Sequence, residues 1–216
     1  MDDLRKQIIK LREDFTKGII NEDDIHKNPA FQFEFWLQQA LDAKVAEVQA
    51  MDLATISVEG KPTSRIVYLR EFNDNCYWFY TNYNSKKAKH LLNNPNASVT
   101  FFWPDLERQI RIEGIVEKGS TEMSDAYFNN RPYDSKIGAW ASNQSHILSS
   151  RLELEEKLEE LKKQFTPETI VRPDFWGGFK LNANYYEFWQ GRKNRLHDRI
   201  CYTLENNNWK INRLAP

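Results

Sequence analysis

Three runs rich in β-branched and aromatic residues, Met51–Val58, Thr63–Phe72 and Cys76–Thr81, follow one another closely. Only Glu59-Gly60-Lys61 and Asn73-Asp74-Asn75 separate them. Links that short are turn-like and cannot carry a crossover, so the runs must pair antiparallel. Further runs of the same kind lie at Ala97–Trp103, Gln109–Lys118, Tyr185–Trp189, Arg199–Leu204 and Trp209–Leu214. A sheet built this way has exposed edges unless it closes, and closure predicts a β-barrel.

Helical periodicity falls between these runs. Leu4, Ile8, Leu11 and Phe15 form one stripe, with Gly18 as a C-cap. Asn28-Pro29 opens a second helix carrying Phe31, Phe35, Leu41 and Val45. Ser85–Asn93 is a short helix capped by Ser85. A helical block covers about 121–165. Its last helix starts at a Ser150/Glu153 capping box and buries Leu154, Leu158, Leu161 and Phe165. Glu153/Lys157 and Glu159/Lys163 pair on its wet face. The fold class expected is α+β: an antiparallel barrel with helices inserted between strands. It forms one domain over 1–216, with N-terminal helices at about 2–46 and a helical insertion at about 121–165.

The net charge is −1, which argues against a general nucleic-acid binder. The N-terminus MDDLRKQIIK has no apolar leader core, and no apolar run spans a bilayer, so the expected setting is the cytoplasm. Cys76 and Cys201 sit in apolar surroundings without a CxxC neighbour, so neither a metal site nor a redox motif is expected. Seven Trp are enough for a core and also suit a flat ligand.

Three clusters of cations bear on chemistry. Lys86 and Lys87 stand in the first turn of a helix, where the macrodipole disfavours Lys but free N–H groups favour a phosphate. Arg65 and Arg70, five apart on one strand, face opposite sides unless a bulge intervenes. The segment 192–199 packs four cations and His197 into eight residues. On an extended chain Arg195, His197 and Arg199 share one face and could grip an anionic ligand. Gln109, Gln144 and Ser145 could hydrogen-bond a heteroaromatic edge, and Trp189 could pack on a ring. A solvated basic surface is the plainer alternative for each cluster. Zinc spacing, the P-loop, GxGxxG and GxSxG are absent.

Taken together, SRIVYLR (64–70), FYTNYNSKKA (79–88), LERQIRIEG (106–114), YFNNRPYDSKIGAWAS (127–142), NQS (143–145), FWGGF (175–179) and EFWQGRKNRLHDR (187–199) resemble the pyridoxamine 5'-phosphate oxidase family. The resemblance runs from about Leu11 to Pro216. It implies a split-barrel FMN-binding fold and a homodimer with two FMN sites at the interface. One subunit would give Arg65, Val67, Arg70, Tyr80, Thr81, Lys86 and Lys87 to FMN; the other would give Gln109, Gln144, Ser145, Trp189 and Arg199. Arg70, Tyr127, Arg131 and Ser135 would hold a substrate phosphate, with Arg12 near the entrance. Arg195 and His197 would lie over the substrate ring as the catalytic pair. The implied activity is oxidation of phosphorylated B6 vitamers by oxygen. Four positions depart from the family pattern: Arg70 for Lys, Lys86 for Arg, Phe15 for Tyr and Glu47 for Asp. A flavin reductase-like protein, or a non-catalytic binder of FMN or pyridoxal phosphate, is the alternative on the same scaffold.

Overall fold

The computed structural model describes residues 2–11 and 14–216. Helix α1 spans Asp2–Lys10 and α2 spans Pro29–Asp42. Strands β1 (Ala50–Ile56), β2 (Pro62–Tyr68), β3 (Glu71–Asn73) and β4 (Cys76–Asn82) follow. After α3 (Lys86–Asn93) come β5 (Asn96–Trp103) and β6 (Arg108–Lys118). The helical block resolves into α4 (Thr121–Asn129), α5 (Tyr133–Ala141) and α6 (Arg151–Gln164). Strands β7 (Trp176–Gln190), β8 (Asp198–Glu205) and β9 (Asn208–Arg213) close the chain.

The sheet has the order β2-β1-β5-β6-β7-β4-β3, with β8 on β7 and β9 on β8. The hairpins β1–β2, β3–β4 and β8–β9 are antiparallel, as the short links require, and so are β4–β7 and β7–β8. The path has two ends, so the sheet is not closed into the barrel expected from the strand pattern. The run read as one strand, Thr63–Phe72, has a corner within it. Leu69 N–H donates to Gln49 O beside β1, and Arg70 N–H donates to Trp78 O of β4. The backbone therefore leaves one ladder and joins another at Leu69–Arg70.

The described chain packs as two compact units, each discontinuous in sequence. One comprises residues up to 48, 100–112 and 185–216. Its core is aromatic: Phe33, Phe101, Trp103, Tyr186, Phe188 and Tyr202 are fully buried, and Trp36 meets Phe188 edge-on at 5.3 Å. Each such side chain stabilises by about 1.5–3 kcal/mol through burial alone. Asn28 caps α2 by accepting from Ala30 N–H, as expected. The buried face of α2, however, is Phe33, Trp36 and Ala40, while Phe31, Phe35 and Leu41 are exposed. Aromatics occur on both faces of this helix, so periodicity alone picked the wrong one. Likewise Leu4, Ile8 and Leu11 are exposed. Gly18 caps no helix; a Cβ there would stand 2.6 Å from the Gln190 amide oxygen.

The other unit comprises 49–99 and 113–184. Phe79 of β4 stacks on Phe179 of β7, its register partner, at 5.8 Å. A second cluster of Phe128, Ile137, Ala139, Ile170 and Trp176 is covered by Leu158, Leu161 and Phe165 from α6 and the residue after it. Ser150 caps α6 by accepting from Glu153 N–H at 3.4 Å. The Glu153 carboxylate reaches back to Ser149 rather than to Ser150. The wet-face pairs are Arg151–Glu155 and Glu159–Lys162 instead of those expected, and at such exposure they contribute little.

Candidate active site

A cavity of about 640 Å³ opens in the unit that holds β2, β4, α4 and α5. Its walls come from the end of β2 and its corner, from β4, from α3, and from the α4–α5 turn. Of the residues singled out in the sequence, Val67, Arg70, Tyr80, Thr81, Lys87, Tyr127, Arg131, Ser135 and Gln144 line it.

The floor is aromatic. Tyr80 and Tyr127 stack at 3.8 Å with planes 8° apart, and Trp176 lies parallel to both within 6.2 Å. Gly178 is the register partner of Tyr80 across β4–β7, and a Cβ there would meet the Tyr80 ring at 3.0 Å. At Gly177 a Cβ would collide with the Tyr83 hydroxyl. In FWGGF, Gly178 is thus what lets Tyr80 lie flat, and Gly177 makes room for Tyr83. Burial pushes the Tyr80 phenol up to about 12, so it remains protonated and can donate.

Two groups of cations face this cavity. At one, Lys87 Nζ donates to Thr81 Oγ1 at 2.9 Å and to Gln144 Oε1 at 2.8 Å. Those acceptors are neutral, and burial, reinforced by Arg65, pulls the Lys87 amine down to about 8. At the other, Arg131 lies 4.6 Å over the Trp176 ring, and its buried Nη1 has no hydrogen-bond partner. Burial, then Arg70, lowers the pKa of that guanidinium. Beside it, α5 begins at Tyr133 with no side-chain cap, and Ser135 lies in its first turn. Uncapped N–H groups, a hydroxyl and an unpartnered guanidinium form an anion site by ordinary helix electrostatics. Both ends therefore fit phosphate groups, and the flat walls fit aromatic ligands.

The other expected residues of this unit lie nearby. Ser145 Oγ accepts from Lys86 N–H at 3.2 Å, and Ser85 Oγ caps Ala88 N–H. The first turn of α3 is thus partly satisfied from within, and Lys86 is exposed. Arg65 donates to Leu53 O, Thr55 Oγ1 and Thr63 Oγ1 and does not line the cavity. Gln144 stands with Thr81 and Lys87 and Ser145 with Lys86 of the same chain, whereas the resemblance had grouped them with the partner's contribution. The loop after α5 brings them there.

The remaining residues belong to the other unit. His197 packs against Trp189 at 4.6 Å and Phe15 at 5.5 Å. A Cβ on Gly191 would press into the Phe15 ring at 2.6 Å. His197 Nδ1 accepts from Arg192 N–H at 3.1 Å, which places the proton of a neutral ring on Nε2. Burial, then Arg195, lowers the His197 pKa, so the ring is neutral at neutral pH. Arg195 does not share an extended face with it: Asn194 and Arg195 take φ of 57° and 60° in a 3-10 turn over Lys193–Arg195. The alternation expected of Arg195, His197 and Arg199 fails at that turn. Arg199 is bound in a fork by Glu187, at 2.8 and 3.0 Å, and donates to Ala215 O. Glu187, with its side chain 3% exposed, also accepts from Arg111. Gln109 sits half-buried near the start of β6. Arg12 lies outside the described residues.

Sequence reasoning assigned no role to Trp176 or Glu187. Both stand inside quoted motifs, but a parallel stack and a buried carboxylate serving two arginines need three-dimensional neighbours to be seen.

A family model described as pyridoxamine 5'-phosphate oxidase matches residues 37–165, and one described as a pyridoxine 5'-phosphate oxidase C-terminal dimerisation region matches 176–216. The chain is 46% identical over 209 residues to a pyridoxine/pyridoxamine 5'-phosphate oxidase of Cyanothece sp., covering 97% of this chain and 98% of that protein. It is 49% identical over 206 residues to the protein of the same name from Actinobacillus pleuropneumoniae, covering 95% and 98%. The structure of PhzG from Burkholderia lata, in complex with tetrahydrophenazine-1-carboxylic acid, superposes with TM-score 0.85 at 28% identity over 92% of this chain and 98% of that one. An FMN-binding protein of Nostoc punctiforme, described as pyridoxamine 5'-phosphate oxidase-related, shares the fold at TM-score 0.70 and 17% identity, over 85% of this chain and 97% of that one. The chain belongs to the pyridoxamine 5'-phosphate oxidase family.

Proposed function

We propose that this chain is an FMN-dependent oxidase that converts pyridoxine 5'-phosphate or pyridoxamine 5'-phosphate to pyridoxal 5'-phosphate. Oxygen is reduced to hydrogen peroxide, and the amine also takes up water and releases ammonia. The observation that carries this reading is one cavity with an aromatic floor and two groups of cations without carboxylate partners among its described residues. A phosphorylated flavin and a phosphorylated pyridine need that combination.

Lys87, Thr81, Gln144 and Ser145, with Arg65, Val67, Arg70, Tyr80 and Lys86, would hold FMN. Arg131, Ser135, Tyr127 and Arg70 would hold the substrate phosphate. FMN held there would supply the redox chemistry, a two-electron oxidation at C4' of the substrate with oxygen as the final acceptor. The protein's part is placement and electrostatics. Fixing the phosphate positions the ring, which removes orientational freedom before the chemical step. Neutral His197, with Nδ1 occupied by a backbone donor, presents Nε2–H and so orients an acceptor on the substrate. Arg195 adds positive charge beside it.

The same reading makes the protein a homodimer in which Gln109, Trp189, Arg195, His197 and Arg199 complete the partner's cavity. The match of 176–216 to a dimerisation region supports it. The Leu69–Arg70 corner, which links both ends of the open sheet, supports the split-barrel description. Two unpaired thiols, Cys76 and Cys201, suit a cytoplasmic setting. Among the described residues no helix is long and apolar enough to cross a membrane.

The test is direct. The purified chain should be yellow, and pyridoxine 5'-phosphate added in air should give the aldehyde and peroxide. A yellow protein that leaves the vitamer unchanged would be a binder, and a colourless one would overturn the reading.

A further inference from the structure

One buried titratable group has no part in the mechanism above. His90, 6% exposed, sits on α3 one turn beyond Lys86 and Lys87. Its Nδ1 lies 3.1 Å from Thr55 Oγ1 and 3.3 Å from Thr63 Oγ1. The same hydroxyls receive Arg65: Nη1 donates to Thr55 Oγ1 at 2.7 Å and Nη2 to Thr63 Oγ1 at 2.6 Å. The hydroxyls are 3.2 Å apart.

Counting protons fixes the roles. Guanidinium groups only donate, so both threonine oxygens accept from Arg65. Within the cluster the two hydroxyl protons can go to each other's oxygen or to His90. One can bridge the threonines; the other needs Nδ1 as its acceptor. A neutral imidazole protonated on Nε2 satisfies the cluster completely. An imidazolium would strand at least one hydroxyl proton and set a second full charge beside Arg65.

We propose that His90 is a positioning residue for the cofactor phosphate: as a neutral acceptor it holds Thr55 and Thr63, and through them fixes Arg65, whose charge acts on the Lys87 end of the cavity. The inference rests on the FMN reading above. Arg65 and Val67 lie on one face of β2, and Val67 lines the cavity. Arg65 is also the charge that Lys87 feels most among its neighbours. The groups facing His90 are Arg65 from β2, Lys86 from its own helix and Glu59 from the β1–β2 turn. Burial, Arg65 and Lys86 lower its pKa, and Glu59 opposes them. The neutral form is therefore the working form at neutral pH. Acid should charge it, disturb Arg65 and release FMN.

FMN dissociation from the purified full-length holoprotein can be followed by flavin fluorescence between about pH 7.5 and 5.5, a range chosen to bracket histidine titration. His90→Asn keeps an acceptor near the Nδ1 position and cannot titrate there. The ratio of wild-type to His90→Asn dissociation constants should grow on acidification to about tenfold, because one charge-assisted contact is lost. Taking the ratio cancels protonation of the FMN phosphate itself. His90→Leu should weaken FMN about tenfold at every pH for the same reason. Riboflavin, lacking the phosphate, should respond to neither change. Should His90→Leu not fold, Thr63→Val breaks the same chain at a half-buried position. Parallel profiles for wild type and His90→Asn, or a lowered Tm in His90→Leu and Thr63→Val with FMN affinity intact, would overturn the inference alone. A wild-type chain that binds no FMN would overturn the functional reading with it.

Discussion

The two basic regions of this molecule differ in what their cations touch. Around β7 and β8 four arginines find carboxylates, and Arg195 is the exception: Arg111 and Arg199 meet Glu187, Arg192 meets Asp198, and Arg213 meets Glu22 and Asp198. In the cavity beside β2, β4 and α5, Lys87 and Arg131 meet neutral oxygens, an aromatic face or nothing at all. The first arrangement spends its charge on the fold. The second keeps its charge for something outside the chain, and bears the desolvation of buried cations meanwhile. Of the cations at 192–199, Arg192 and Arg199 are thus committed to carboxylates.

The largest effect should come from the paired region. Glu187→Gln leaves two guanidinium groups without their shared carboxylate, and should destabilise the protein by about 3 kcal/mol, the low end for a broken buried pair because both arginines reach solvent. Denaturant unfolding measures it. The pH dependence has a definite sign. The arginines hold the Glu187 carboxyl below its ordinary value against burial, so its contribution is present above the unfolded pKa. It is lost as pH falls through the lower, folded value. A Glu187→Gln protein should accordingly show a flatter loss of stability in acid.

Arg131→Met should behave oppositely. Removing a half-buried cation whose Nη1 has no partner should leave the ligand-free stability unchanged or raised, while weakening a phosphorylated substrate by about 1.5–3 kcal/mol. Steady-state kinetics with phosphorylated and unphosphorylated pyridoxine separates the two. An equal small effect on both would break the comparison.

His197→Asn should remain yellow and lose at least about tenfold in kcat/KM, since the Nε2–H donor is gone. Wild-type activity should fall on acidification below the ordinary histidine range, because the neutral ring is the working form. A colourless His197→Asn protein with substrate binding intact would move this residue to the cofactor.

The smallest expected signal is complementation. A Lys86/Lys87-neutralised chain and an Arg195/His197-substituted chain, each inactive, should regain up to about a quarter of wild-type activity when refolded together, because half of random dimers are mixed and each has one intact site. No recovery in confirmed heterodimers would mean that each site is built within one chain.

The elements at 50–82 were readable because short links leave antiparallel pairing no alternative. The corner at Leu69–Arg70 was not, since its residues look like the strand on either side. The stripe on α2 misled because Phe31 and Phe35 are as apolar as Phe33 and Trp36. At the site, Lys87 of the lysine pair at a helix start lines the cavity. The reason differed: α3 satisfies part of its own first turn, and the prepared charge is the Lys87 side chain. The Arg195–Arg199 alternation assumed an extended backbone, which two residues at positive φ interrupt. Pairing with carboxylates, which separates structural from available cations, depends on contacts between distant segments and leaves no local pattern.

The claim that cavity cations are held ready for phosphate is tested most directly at Lys87. Its amine lies near pH 8 in the free protein, so at about pH 8.5 most of it is neutral, and a bound phosphate must raise it again. Calorimetry of FMN binding to the stripped protein, repeated in buffers of different ionisation enthalpy, counts the protons exchanged. The account predicts uptake of more than about half a proton at that pH. Uptake should fall towards zero near neutrality and disappear in Lys87→Met. Tight FMN binding with no proton uptake at pH 8.5, or the same uptake in Lys87→Met, would contradict it.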